Sequence, residues 1–230
     1  NTMLDIDTLK FTPKDLTLDF ATTPSKSSLE LYNGDMTAKG TMDCGYSTLF
    51  ASLVRVMEMY RISMGNNKTQ YYLHDFLNAL PHIDFELQCG KDNIFHKFLV
   101  FNGISTGSIL LDADISPNSG LNINGSINRF RSGELQADTI KIFTRQRGER
   151  LNYLMGIDNA SLGLLTEQNS YNAAIYGNVV HDTLTTYVRM RDNVRASDSK
   201  IGMSALLMPE SICISFDRET LLFNTPFKFS

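Results

Sequence analysis

Short segments in which every second side chain is apolar recur from Gly107 to Phe216, and this alternation constrains the fold more than any other feature. A β-strand places residues i and i+2 on one face, so each segment has one apolar and one polar face. Turn residues such as Pro117 to Gly120 and Arg131 to Gly133 separate the segments. Repeated over roughly eight strands, the pattern predicts a wide antiparallel sheet with one continuous apolar side.

One set of side chains is predicted to form that apolar side. Polar neighbours such as Asn122, Asn124 and Arg189 alternate with its members, and the same period places these neighbours on the opposite face. The predicted apolar positions are Leu121, Ile123, Ile127, Ile140, Ile142, Leu151, Tyr153, Met155, Ile157, Ile175, Val179, Leu184, Val188, Met190, Ile201, Met203, Leu207, Ile212, Ile214 and Phe216.

Near Tyr46 the apolar period changes from that of a strand to that of a helix. Spacings of four, four, three and four residues separate the members of an apolar stripe, Leu49, Leu53, Met57, Tyr60 and Met64. Stripes of this kind usually pack in a core, so we expect the helices to plug or cover part of the sheet. A groove that binds a partner is the alternative interpretation.

Residues 46–103 as a whole are predicted to be a helical insertion that contains one strand at about 82–89. A further helix, which Asp92-Asn93 can cap at its start, is apolar on nearly all sides, which predicts that it is wedged between other elements. Residues 1–45 are predicted to supply N-terminal strands and residues 104–230 the main sheet. We expect one folded unit, excised from a longer chain.

The composition argues against several classes of function. The chain has 230 residues with 42% apolar content and a net charge of −4, which gives no electrostatic reason to expect nucleic acid as a partner. Cys44, Cys89 and Cys213 lack CxxC spacing, so structural zinc or a disulfide framework is not expected, although two of them could pair. No apolar run approaches the ~20 residues that a membrane-spanning helix needs.

The sequence contains no motif of an enzyme active site, and we expect neither catalysis nor a cofactor. Asp112 and Asp114 share the polar side of a strand, but without an adjacent histidine or nucleophile a solvated face is the better interpretation. The histidines lie in different elements without an i,i+4 partner and are predicted to be ordinary surface or half-buried residues. They are His74, His82, His96 and His181.

Four segments together resemble one protein family. Their sequences are LNALPHIDFELQCGKDNIFHKFL (77–99), GLNINGSINRFRSGELQADTIKI (120–142), RLNYLMGIDNASLG (150–163) and ESICISFDRETLLFN (210–224). Their order and character are similar to the middle region of TamB-like proteins, the translocation and assembly module proteins of the AsmA-like superfamily, as found in Bacteroidota. The resemblance covers most of the chain from about Leu29 onward.

This resemblance implies a fold and a role. The family implies a long sheet curled lengthwise into a U-shaped, taco-like groove lined by the apolar positions given above. It implies a periplasmic protein, anchored to the inner membrane by a segment outside this sequence, that acts in outer-membrane biogenesis. Its cargo would be phospholipid or another amphipathic ligand, and a BamA-like outer-membrane assembly protein would bind a more C-terminal part. The helical insertion departs from a plain groove.

Two further interpretations belong to other classes of protein. A non-conducting scaffold could recruit partners for outer-membrane protein assembly or secretion by strand addition at open sheet edges. An enzyme or glycan-binding β-protein would need clustered polar side chains or exposed aromatic platforms, and the chain contains no tryptophan. We therefore expect a lipid groove first and a scaffold second.

Overall fold

The computed structural model of this chain is mainly β, as the alternation predicts. One open antiparallel sheet contains 15 strands, a second sheet contains two, and the helical insertion is present. The structure describes residues 4–6, 9–11, 15–64, 73–162, 170–208, 211–217 and 220–227.

The elements are numbered in chain order. The two-stranded sheet pairs β1 (Leu4–Ile6) with β2 (Leu9–Phe11). The helices are α1 (Tyr46–Met64), α2 (Leu73–Asn78) and α3 (Ile94–Phe101). The strands of the large sheet are β3 (Thr17–Thr22), β4 (Ser27–Asn33), β5 (Met36–Met42), β6 (Ile83–Cys89), β7 (Ile104–Ser105), β8 (Ser108–Ser116), β9 (Gly120–Ser132), β10 (Leu135–Arg147), β11 (Arg150–Leu162), β12 (Tyr171–Val180), β13 (Thr183–Asp192), β14 (Asp198–Met208), β15 (Ser211–Phe216), β16 (Thr220–Leu222) and β17 (Thr225–Phe227).

The large sheet is a meander in which almost every strand pairs with its neighbour in sequence. Tight turns make this possible, and Gly34, with φ +56°, supplies the left-handed residue in the turn between β4 and β5. The helical insertion does not divide the sheet, because β5 pairs with β6 across it, with Ala38 opposite Leu87. The predicted strand at about 82–89 is β6.

The start of α3 is fixed to the turn between β4 and β5. Of the two predicted capping residues, Asn93 is the N-cap, and its Oδ1 accepts a hydrogen bond of 2.7 Å from the His96 N–H. Asp35 lies in the turn, and its Oδ2 accepts hydrogen bonds from the N–H groups of Lys91 (2.7 Å) and Asp92 (3.0 Å). These hydrogen bonds hold the loop before α3 against the sheet.

The prediction that α3 is wedged between other elements is wrong. Phe95, Phe98, Val100 and Phe101 are all exposed to solvent. The helix lies beside β7, at the border of the large sheet, and buries only His96. The apolar surface of α3 is therefore exposed, and no described element covers it.

The prediction that the α1 stripe packs as a plug or cover is also wrong. Phe50 and Met57 are 69% and 71% exposed, and Leu53 and Tyr60 are exposed as well. Met59 is the buried large apolar residue of α1 among the side chains that the structure describes. The predicted helix with its apolar stripe is present, but the described strands of the sheet do not cover that stripe. Within the described residues no helix has the length and apolar character that crossing a membrane requires.

Candidate functional site

A single apolar face runs through the large sheet, and strand register builds it. Residues directly opposite each other in an antiparallel pair point to the same side. Ile142 lies opposite Met155, Met155 opposite Ile175, Ile175 opposite Val188, and Val188 opposite Ile201. Five neighbouring strands therefore contribute one row of large apolar side chains.

The same register places all the predicted apolar positions on this face, including the rows through Ile127, Leu151 and Met203. Leu207 belongs to it by its pairing with Ile212, although its side chain lies outside the description. Strands β3, β4, β5, β6 and β8 extend the face beyond the predicted positions. Their contributions are Leu18, Phe20, Leu29, Leu31, Ala38, Phe85, Leu87, Ile109, Leu111, Ala113 and Ile115.

No described element covers this apolar face. Ile175 and Val188, in the middle of the sheet, are 37% and 39% exposed, and Phe216 near one end is 52% exposed. The face crosses twelve strands, from β3 to β15, and at about 4.8 Å per strand spacing it is roughly 50 Å wide. Monomeric proteins rarely expose a continuous apolar patch larger than a few hundred Å². This face is therefore a candidate binding surface.

A polar contact crosses the middle of the apolar face. Tyr153 passes over Gly177 on the next strand, and its hydroxyl contacts Oγ1 of Thr186 on the strand beyond (2.5 Å). It also donates to the Thr185 carbonyl (3.3 Å). Gly177 leaves the space for the ring, since a Cβ there would lie 2.9 Å from that hydroxyl. Tyr153 was predicted to line the groove, and its hydroxyl connects β11 to β13 across β12.

An apolar cavity of about 390 Å³ lies at one end of this face. Ala173, Met190, Tyr171 and Phe223 line its walls. Arg195 is the basic side chain among the residues that line it. Asp192 also lines the cavity, and its carboxylate lies 3.9 Å from Nε of Arg195, so the two charges offset each other. The apolar walls suit the apolar part of an amphipathic molecule.

The opposite face is mostly polar, apart from a row of Phe143, Leu154, Tyr176 and Tyr187 across four strands, and it contains a cavity of about 800 Å³. Two acidic pairs line it. Asp84 of β6 lies opposite Asp114 of β8, and Glu86 lies opposite Asp112. Like charges directly opposite in a sheet destabilise it. The sequence correctly assigned Asp112 and Asp114 to the polar face, but it did not predict that β6 supplies a second pair of carboxylates beside them.

His82 lies at the border of this acidic array. Its Nδ1 is 3.0 Å from Oδ2 of Asp43, and its Nε2 lies 3.3 Å from Asp84 Oδ2 and 3.5 Å from Asp114 Oδ1. The hydrogen bond to Asp43 and the charges of all three carboxylates raise the pKa of His82, although partial burial opposes the shift. Ser119 donates its hydroxyl to Asp114 (2.9 Å).

The other histidines differ in their surroundings. His96 is buried in α3, and His181 pairs with Glu149. The side chain of His74 lies outside the described part. His82 is half-buried, as the prediction allowed, but the sequence did not predict that the fold brings it together with three carboxylates. Of these, Asp43 and Asp114 are far from it in sequence, so spacing alone could not reveal the cluster.

No protein-family model matches the chain, and no curated protein or solved structure matches it.

Proposed function

We propose that this chain is a periplasmic part of a TamB-like protein of outer-membrane biogenesis, and that its apolar sheet face binds phospholipid on its way between the inner and outer membranes. The observation that carries the proposal is the unbroken, uncovered row of apolar side chains through neighbouring strands, exemplified by Met155, Ile175 and Val188. The chain's resemblance to TamB-like proteins supports the same role.

Continuity of the surface is what lipid passage requires. An acyl chain that leaves one apolar contact for water loses about 0.8 kcal/mol per exposed CH₂, so any long polar gap would stop its movement. The polar contact of Tyr153 with Thr186 interrupts one row, but the neighbouring row through Ile175 and Val188 remains apolar across the same strands. The cavity beside Met190 offers acyl chains additional apolar space.

Site-specific photo-crosslinking tests the proposal. A photoreactive amino acid at Ile175, Val188 or Ile123 should capture lipid from vesicles of phosphatidylethanolamine and phosphatidylglycerol, because these side chains belong to the apolar face. In cells, the same positions should capture phospholipid. Lipid bound to the protein is measured by mass spectrometry of the crosslinked product.

Matched controls lie one residue away on the polar face. Ala174 and Arg189 lie directly opposite each other, next to the Ile175–Val188 pair, and a probe at either position should capture little lipid. Equal capture on both faces, or none on either, would contradict lipid binding. Ile175→Asp should reduce capture by a probe at Val188, since it places an unpaired charge beside the lipid.

A second candidate function is a scaffold that recruits other chains by strand addition, in support of outer-membrane protein assembly or secretion. The observation that favours it is β3, which ends the large sheet and whose six residues are all exposed. Leu18 and Phe20 are 61% and 57% exposed there. An unprotected edge strand with apolar side chains is a template for strand addition. Normal assembly activity of a chain whose apolar face carries Ile175→Asp would favour this function over lipid binding.

A further inference from the structure

We propose that His82, Asp84 and Asp114 form a binding site for a divalent transition-metal ion, with Zn²⁺ as the best fit, at the border of the polar-face cavity. This site is separate from the apolar face and does not depend on the lipid proposal. His82 immediately precedes β6, Asp84 is in β6 and Asp114 is in β8. The direct pairing of Asp84 with Asp114 fixes the two carboxylates on the same side of the sheet.

The distances fit an ion better than direct hydrogen bonds. Nε2 of His82 lies 3.3 Å from Asp84 Oδ2 and 3.5 Å from Asp114 Oδ1, longer than the ~2.7–2.9 Å of a charge-assisted hydrogen bond. Ligands bound to zinc at about 2.0–2.2 Å in tetrahedral geometry are separated by roughly 3.3–3.6 Å. All three ligand atoms lie within 4.8 Å of one another. Small side-chain adjustments are therefore enough to place one ion among them.

The histidine ring is oriented for metal binding. The Asp43 N–H donates to the His82 carbonyl (3.1 Å), which connects the two backbone segments, and Nδ1 of the ring lies 3.0 Å from the Asp43 carboxylate. A proton on Nδ1 is therefore satisfied by Asp43, and the lone pair of Nε2 is directed toward Asp84 and Asp114. A carboxylate behind the distal nitrogen is the usual arrangement for a metal-binding histidine.

The charge distribution also favours a cation at this point. Asp84 and Asp114 are directly opposite, and Glu86 and Asp112 form a second acidic pair beside them. Lys39 lies opposite Glu86 on the other neighbouring strand, so the second pair has a positive side chain nearby. The first pair has an uncharged residue, Thr41, opposite Asp84 on that strand. A divalent ion bound beside His82 would compensate the charge of the first pair.

The donor set selects the class of ion. One imidazole nitrogen with two carboxylate oxygens suits zinc or manganese, whereas Ca²⁺ and Mg²⁺ prefer oxygen ligands alone. Three protein ligands leave a coordination position for water or for a group on a bound molecule. Because the cavity of about 800 Å³ is lined by Asp84 and Asp114, that open position faces a space large enough for a small ligand.

Calorimetric titration of the folded chain with Zn²⁺ tests the site. We expect one saturable site that His82→Gln or Asp114→Asn weakens by about 100-fold or more, and that Asp43→Asn weakens by about 10–100-fold. Binding should also weaken as pH falls, because protons compete for Nε2.

Two control variants distinguish Zn²⁺ binding at this specific site from nonspecific attraction of the ion to acidic side chains. Asp112→Asn removes the same charge from the same face of β8, and His181→Gln removes another histidine that pairs with an acid. Both variants should keep the affinity within about threefold of the unaltered chain, because neither side chain supplies a ligand atom to the proposed site. Equal weakening by Asp112→Asn and Asp114→Asn, or unaltered binding by His82→Gln, would overturn the proposal.

Folding and coordination are checked independently. The side chains of His82, Asp43, Asp84 and Asp114 are 38%, 65%, 52% and 41% exposed, so their substitution should leave the circular dichroism spectrum unchanged. Co²⁺ bound to the unaltered chain gives a readout that needs no variant. Strong visible absorption from four-coordinate cobalt supports the site, and the weak spectrum of the hydrated ion, or no saturable zinc binding, counts against it.

Discussion

Gly177 provides a direct test of how the sheet is packed, because its replacement by alanine has a calculable steric effect. A Cβ at this position would lie 1.9 Å from the Thr185 carbonyl oxygen and 2.9 Å from the Tyr153 hydroxyl. The first of these atoms is backbone, so the strand pair itself must shift. Overpacking of this kind costs about 1–3 kcal/mol. We therefore expect Gly177→Ala to lower the free energy of unfolding by about that amount.

Gly156 is the matched control on the preceding strand. The nearest atom to a Cβ there is Leu154 Cδ2 at 3.7 Å, which is ordinary van der Waals contact. Gly156→Ala should therefore be neutral or stabilise the chain by about 0.4–1 kcal/mol through the unfolded state. For a chain of this length the melting temperature changes by about 2–4 °C per kcal/mol, so thermal denaturation followed by circular dichroism separates the two variants.

A second substitution divides the cost of Gly177→Ala into its parts. Tyr153→Phe removes the hydroxyl that contacts Oγ1 of Thr186 (2.5 Å) and should itself cost about 1 kcal/mol. In the Tyr153→Phe background, Gly177→Ala should cost less, since the hydroxyl clash is gone while the clash with the Thr185 carbonyl remains. Equal melting temperatures for Gly177→Ala and Gly156→Ala would refute this account of the packing.

Three further predictions concern the start of α3, the exposed helix and the edge of the sheet. Burial raises the pKa of Asp35, but the hydrogen bonds from the loop before α3 outweigh burial and lower this pKa overall. The stabilisation that Asp35 provides should therefore be present above pH ~3.8 and be lost as pH falls through the lowered pKa. Asp35→Ala should then cost about 1 kcal/mol at neutral pH and nothing at low pH, measured by denaturant unfolding, and an equal cost at both pH values would contradict this. Phe50→Ser with Met57→Ser should change the melting temperature by less than about 2 °C because both side chains are exposed, and a loss of several degrees would show that α1 packs in a core. Leu18→Lys with Phe20→Lys should reduce self-association in analytical ultracentrifugation, whereas an unchanged sedimentation profile would contradict strand addition at β3.

The alternation of the sequence determined most of the sheet. Local sterics place residues i and i+2 on one side of a strand, so Ile123, Ile175 and Val188 could be assigned to one face before any pairing was known. Turn residues fixed where strands end, as at Gly34 with its positive φ. With short connections, consecutive strands pair, and the meander follows. The cap of α3 at Asn93 was also readable, since capping depends on local hydrogen bonds.

For the helices, the local sequence predicted the secondary structure but not the burial of the apolar side chains. The stripe through Leu53 and Met57 was sufficient to predict α1, but not what would cover it. Whether an apolar stripe is buried depends on a partner surface elsewhere in the chain, which the helical period does not encode. The structure leaves the α1 stripe exposed, and the apolar surface of α3 around Phe98 is exposed in the same way.

Only the tertiary structure assembled the polar-face cluster. His82 and Asp84 are close in sequence, but Asp43 precedes them by a whole helical segment and Asp114 follows them by another helix. The pairing of β5 with β6 and of β6 with β8 brings these residues within a few ångströms. The sequence by itself determined which face each side chain occupies, because that depends on backbone geometry over two residues. The tertiary structure decided which side chains meet across strands, because that depends on register and on which strands become neighbours.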